Sequence, residues 1–244
     1  MTCLTVTKHI EGYYGKRSWN PLITIIMKHI IFVSFVTIIF NSCIKEECKI
    51  AGGYYEFEIP AILTPEKDTF SIGDTITIIS SFSDVVYERK TDKVYKLIEF
   101  KFFPGTEIKN IDTFPAAEGL SFFEILVDSS LNYKVVNFSE SKMRIKGEYD
   151  YNNNTYYLKY QLVAKKSGLY YIEQSIYPEL DPNQHFEGKC PNLKIDGAVK
   201  LNGGKNNNID MLIYSPDPHY NNWIIQRPED RFYKFGGYCF YVKN

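Results

Sequence analysis

The 244-residue sequence is poor in the side chains that catalytic and metal-dependent proteins rely on: four histidines, five cysteines and two tryptophans. It has no Cys-x-x-Cys pair and no Cys/His cluster, which argues against a zinc centre, since zinc needs about four close ligands. No Gly-x-Ser-x-Gly elbow is present. Gly203-Gly204, between Asn202 and Lys205, lacks the Lys-Ser/Thr of a phosphate loop and reads as a turn. There is no Lys/Arg run, and the net charge is −1, so the chain shows no electrostatic footprint for nucleic acid or an anionic membrane surface. No internal repeat or heptad pattern appears.

The chain has instead 20 tyrosines and 17 phenylalanines, an aromatic content of 16 %. These residues and β-branched ones suit pleated, half-buried surfaces, so composition favours an all-β protein. Strand-like runs follow from Tyr54. Phe57-Glu58-Ile59 alternates until Pro60, where the strand is expected to stop. A turn at Ile72–Asp74 feeds the run 75–82. Residues 95–102 alternate apolar and polar, and Pro104-Gly105 reads as the turn that ends them. Further strands are expected at 122–127, 133–138, 143–149, 156–164 and 169–176, with a polar turn at 150–154. Many short strands separated by turns predict a sandwich or barrel.

The N-terminus carries an address. Lys28 and His29 precede an apolar run from Ile30 to Phe40, followed by Asn41, Ser42 and Cys43. At 11 residues the run is too short for a membrane-spanning helix, which needs about 20. A charged n-region, an apolar h-region and a small residue before a cysteine resemble a bacterial lipoprotein signal peptide. Phe40 stands where that family usually has Leu, a looser box of the Bacteroidetes type. Lys45-Glu46-Glu47, just after the cysteine, resembles the Bacteroidetes surface-export signal. The resemblance implies diacylation and cleavage at Cys43 and an outer-membrane protein exposed at the cell surface. Residues 1–26 match no signal and read as an over-extended start, with Met27 as initiator and residues 27–42 as signal peptide. Residues 1–42 hold Lys8, Lys16, Arg17, Lys28 and Glu11, a net +3, leaving 24 basic and 28 acidic residues, a net −4, in the mature chain.

The mature chain divides into a tether (43–52), a sandwich domain (53–177) and a C-terminal extension (178–244). Phe70-Ser71-Ile72-Gly73-Asp74-Thr75-Ile76 and Lys166-Ser167-Gly168-Leu169-Tyr170-Tyr171-Ile172 resemble the turns entering an early and a late core strand of bacterial immunoglobulin-like domains. They span roughly 100 residues, the size of such a sandwich. The resemblance implies an immunoglobulin-like antiparallel β-sandwich, without the Cys–Trp–Cys core of antibody domains. The extension is turn-rich, with short helices expected at 207–214 and 228–236 and a closing strand at 238–242, packed on the sandwich. With Cys43 acylated, Cys48, Cys190 and Cys239 remain for one disulfide. Cys190–Cys239 is favoured because both lie in the last fifth of the chain; Cys48–Cys190 and Cys48–Cys239 stay open.

Candidate chemistry is sparse. The mature chain has His185 and His219 alone, each near a cysteine that oxidation would silence. Glu124, Glu148 and Glu173 fall within strands and could share a face, as a glycosidase's carboxylates must. Asp181–Glu187 spaces oxygens loosely like a calcium loop. Tyr214, Tyr220, Trp223, Phe232, Tyr233 and Phe235 crowd the C-terminal region. Exposed, Tyr214, Tyr220, Trp223 and Tyr233 would form a binding surface; buried, these rings would fill the seam between extension and sandwich. The expectation is a lipid-anchored envelope protein that binds a glycan or a protein partner, or serves an envelope assembly, without catalysis, cofactor or metal. A surface-polymer hydrolase is the alternative.

Overall fold

In the computed structural model, residues 50–139, 142–177 and 184–244 are described. Among the described residues fifteen strands run in chain order: β1 (Tyr54–Thr64), β2 (Thr69–Ser71), β3 (Thr75–Ser83), β4 (Val85–Glu88), β5 (Lys93–Lys96), β6 (Phe103–Asn110), β7 (Ala117–Glu118), β8 (Phe123–Val127), β9 (Tyr133–Ser139), β10 (Lys142–Gly147), β11 (Asp150–Asn152), β12 (Thr155–Ala164), β13 (Gly168–Tyr177), β14 (Lys194–Leu201) and β15 (Tyr238–Lys243). They form two sheets. One has the order β11-β12-β3-β1-β4-β5, with β14 on β1 and β8 on β12; the other has the order β2-β15-β13-β6-β10-β9, with β7 on β6. The fold is an all-β, immunoglobulin-like sandwich. Its sheets are mixed rather than purely antiparallel, because β14 runs parallel to β1 and β15 parallel to β2.

The sandwich holds together through an aromatic core. Phe57 is flanked by Tyr55, Tyr95, Phe100 and Phe186, with ring centroids 5.5–6.3 Å away. Buried tyrosines need partners for their hydroxyls, and most have them. Thr106 Oγ1 joins the Tyr133 and Tyr160 hydroxyls at 3.0 and 2.6 Å. Tyr149 donates to Ser80 Oγ, which donates to the Pro60 carbonyl. Tyr156 donates to the Leu97 carbonyl and accepts from the Phe100 N–H, holding a loop in place.

That loop corrects one expectation. Residues 95–102 are not a single strand: β5 ends at Lys96, Glu99 adopts φ +52°, and Leu97, Phe100 and Phe102 all enter the core. Nor does Pro104-Gly105 form a turn; it lies near the start of β6, where a strand tolerates a proline. Pro60 likewise does not end β1. It sits where the strand changes neighbours, between the Phe57 contact with β4 and the Ile62–Thr64 ladder with β3. Asn153 and Asn154, both with positive φ, make the two-residue hairpin between β11 and β12.

The C-terminal segment is built into both sheets rather than laid on them: β14 pairs with β1, and β15 lies between β2 and β13. Residues 48–244 accordingly form one compact unit. Between β14 and β15 come helical turns at Ile209–Tyr214, His219–Ile224 and Glu229–Tyr233. They cover one half of the outer face of the seven-stranded sheet. There Ile111, Leu169, Tyr171 and Cys239 pack against Leu212, Tyr220, Ile224 and Phe232 in a second apolar cluster. Asp217 pins this cover, accepting hydrogen bonds from the Ala116 and His219 N–H groups.

Candidate functional site

Cys43, Lys45, Glu46, Glu47 and Cys48 lie outside the described residues, as do Asp181–Asn183 of the calcium-like stretch. Of that stretch, Gln184 pairs with the main chain of Lys101 and Phe186 plugs the core. Among the described residues no three His, Cys, Asp or Glu gather as metal ligands. The favoured disulfide is not formed. Cys239 is a free thiol sealed in the second cluster, where burial pushes its pKa up, whereas Cys190 is disulfide-bonded elsewhere. Their separation has a simple cause: Cys239 points under the helical cover and Cys190 into the main core beside Tyr55, whose hydroxyl accepts its N–H.

The C-terminal aromatics divide. Tyr220 is buried against Tyr171, as is Phe232, and Tyr233 is half-buried. Tyr220 is therefore no part of a surface. Tyr214 and Trp223 are exposed, but the Trp223 ring is engaged by His219, stacked at 4.8 Å, and by the Arg231 guanidinium at 3.9 Å. Of the three glutamates expected in strands, Glu173 lies on β13 of the seven-stranded sheet, Glu148 falls in the link between β10 and β11, and Glu124 is exposed on β8 in the other sheet.

The half of the seven-stranded sheet's outer face that the helical turns leave uncovered among the described residues holds what sequence reading missed. Cross-strand register sets Lys134 of β9 beside Lys146 of β10, Lys146 beside Gly105 of β6, and Gly105 beside Ser175 of β13. Successive rows place Phe103 beside Tyr177 on one side and Glu107 beside Glu173 on the other. Because alternate residues share a face, these positions line a groove of about 420 Å³ with Phe103, Gly105, Asn132, Lys134, Phe138, Arg144, Lys146, Glu148 and Tyr177 along it. Gly105 forms its floor; a Cβ there would approach Ser175 Oγ to 3.0 Å.

Three rings, Phe103, Phe138 and Tyr177, and three cations shape the groove. Phe138 and Tyr177 are about half exposed. The Lys146 ammonium lies 4.9 Å from the Phe138 centroid, and the Arg144 guanidinium 6.0 Å from both rings. Arg144 pairs with Glu107 and donates to the Tyr177 hydroxyl, and its buried Nε has no hydrogen-bond partner among the described residues. Glu173, next to Glu107, is lifted above the ordinary carboxylate range by burial, against the pull of Arg144, Lys109 and Lys142. Among the described residues neither Lys134 nor Lys146 forms an ion pair.

A second charged hollow, of about 280 Å³ and lined by Glu58, Arg89, Lys200, Glu229 and Tyr233, is internally neutralised. Arg89 pairs with Glu56 at 3.0 Å and Lys200 with Glu58 at 2.9 Å. Beneath it, buried Glu88 accepts from the Glu56, Lys90 and Thr91 N–H groups and the Thr91 hydroxyl, a structural use of a carboxylate.

Fold and groove define a two-layer immunoglobulin-like β-sandwich with a side-chain-lined site on one sheet face. No family model matches the sequence, and no curated protein matches it. Among solved structures, it is similar to a non-cellulosomal cohesin from the hyperthermophilic archaeon Archaeoglobus fulgidus, with 14 % identity over 62 % of this chain and 94 % of that one and a TM-score of 0.25. It is also similar to ACE19, the collagen-binding subdomain of the Enterococcus faecalis surface protein ACE, with 8 % identity over 55 % of this chain and 90 % of that one and a TM-score of 0.20.

Proposed function

We propose that the protein is a lipid-anchored surface protein that binds an extracellular ligand in the groove of its seven-stranded sheet, without catalysing a reaction. The groove itself carries this reading. It combines exposed rings with two lysines that have no carboxylate partner among the described residues, and its rings and cations are placed for contact rather than proton transfer. The anchor rests on Cys43 and its flanking residues, and the export signal on Lys45-Glu46-Glu47. One acyl chain binds a membrane only marginally, so stable anchoring calls for multiple acylation of Cys43. With Cys43 acylated and Cys239 free, Cys48 is the cysteine left to bond Cys190, the pairing that ties the tether to the domain.

The hydrolase reading takes support from Glu173, whose raised pKa and position beside Glu107 resemble a general acid beside a second carboxylate. Glu107 is held by Arg144, however, which leaves the pair without a free base. Two measurements test the proposal. A palmitate analogue should label wild type and not Cys43→Ala, and protease should shave the domain from intact cells. Arrays of surface glycans and proteins should show spots bound by wild type and lost in a Phe138→Ala/Tyr177→Ala variant; spots kept by the variant would move the site elsewhere.

A further inference from the structure

We infer that the groove recognises an acidic sugar, a pyranose ring bearing a carboxylate, within a surface or extracellular polysaccharide; this deepens, and rests on, the binding role proposed above. Lys134 and Lys146 are the first reason. They stand directly opposite each other on neighbouring antiparallel strands, where like charges repel. Among the described residues neither has an ion-pair partner, and a single bound anionic group between them relieves the repulsion.

The charge pattern limits the anion to an isolated one. Glu148 closes one end of the groove, and Glu107, paired with Arg144, lies with the half-buried Glu173 at the other. A polyanion running past either end meets carboxylates, so a nucleic acid strand is disfavoured while one carboxylate is accommodated. The walls specify the rest of the ligand. Phe138 and Tyr177 stand half exposed beside the cations, offering ring surface to the apolar C–H face of a sugar. An extended peptide fits less well. The floor strands β6, β10 and β13 already spend their main-chain groups on each other, so strand addition, which needs an open edge, could place a peptide only along the outer edge of β9, beside the groove rather than on its floor. At about 420 Å³ the groove lies near the lower end of small-ligand cavities, about 300–1,000 Å³.

Titration calorimetry on the full mature chain in detergent tests this, using four probes: trigalacturonic acid, its methyl ester, a pentaglutamate peptide and a short oligothymidylate. Trigalacturonic acid should bind, the ester about tenfold more weakly, and the peptide and oligonucleotide more weakly than the acid. Lys134→Gln and Lys146→Gln, at exposed positions that leave the core untouched, should each weaken the acid at least fivefold and flatten its salt dependence. Equal binding of acid and ester, both lost in Phe138→Ala, overturns the acidic-sugar assignment and keeps the groove as a binding site. Acid binding unchanged in both lysine variants, or peptide or oligonucleotide binding as tight as the acid's, also overturns it. Silence from all four probes overturns the assignment, and the array comparison of wild type with Phe138→Ala/Tyr177→Ala then decides separately whether the groove binds anything.

Discussion

The two halves of the seven-stranded sheet's outer face share the strands β6 and β13 and the same alternation, yet one is core and the other is the proposed site. On the covered half, β13 presents Leu169 and Tyr171 and β15 presents Cys239 to the helical turns. On the open half, β13 presents Ser175 and Tyr177, and β6 presents Phe103 and Gly105. The change falls at the row of Glu107 and Glu173. Apolar outward residues oblige the chain to build a cover, because their burial is favourable by about 25 cal/mol per Å². Where the outward residues are lysines, a glycine and half-exposed rings, nothing compels a cover, and no described helical turn lies over the face.

The contrast can be broken most forcefully on the covered side. Phe232→Ala removes a fully buried ring from the second cluster and should destabilise the domain by about 3–5 kcal/mol in urea titrations; a loss below about 1 kcal/mol would show that the cover is not part of the core. Next in size, Cys190→Ser should cost about 2–5 kcal/mol by removing the disulfide, and a non-reducing peptide map should show a Cys48–Cys190 peptide. At the boundary, Glu173 is protonated more readily in the folded chain than in the unfolded one. Its contribution is therefore complete below about pH 4, near the unfolded carboxylate value, and is lost as pH rises through the higher folded pKa. Glu173→Gln should gain stability relative to wild type on going from pH 4 to pH 7, and a pH-independent difference would remove burial as the cause. On the open side, Lys134→Gln and Phe138→Ala should change stability by less than about 0.5 kcal/mol while altering binding.

Much of the sandwich was legible in the sequence, because its strands alternate locally. The runs at 75–82, 156–164 and 169–176 lie within β3, β12 and β13. Pro60 and Pro104 misled, since a proline reads as a break unless one knows that the strand is changing neighbours or beginning. The C-terminal rings were visible as a group, but only packing sorts buried Tyr220 and Phe232 from exposed Tyr214 and Trp223. The groove was not legible. Phe103, Lys134, Arg144 and Tyr177 lie on four strands, and no local motif joins them. Their meeting is a property of register, and register emerges from the whole sheet. The pair Lys134 and Lys146, twelve residues apart around a hairpin, was the nearest available clue.

The parallel pairing of β1 with β14, from Tyr54↔Lys194 to Ala61↔Leu201, has a mechanical consequence. If the proposed N-terminal anchor holds the chain, drag on a bound ligand would be transmitted to it through β1. A load along β1 slides it lengthwise past β14, so the ladder is stressed in shear and its hydrogen bonds resist together. A hairpin pulled from its open end would instead peel one bond at a time. Under the proposed anchoring, the load would therefore meet this ladder in shear.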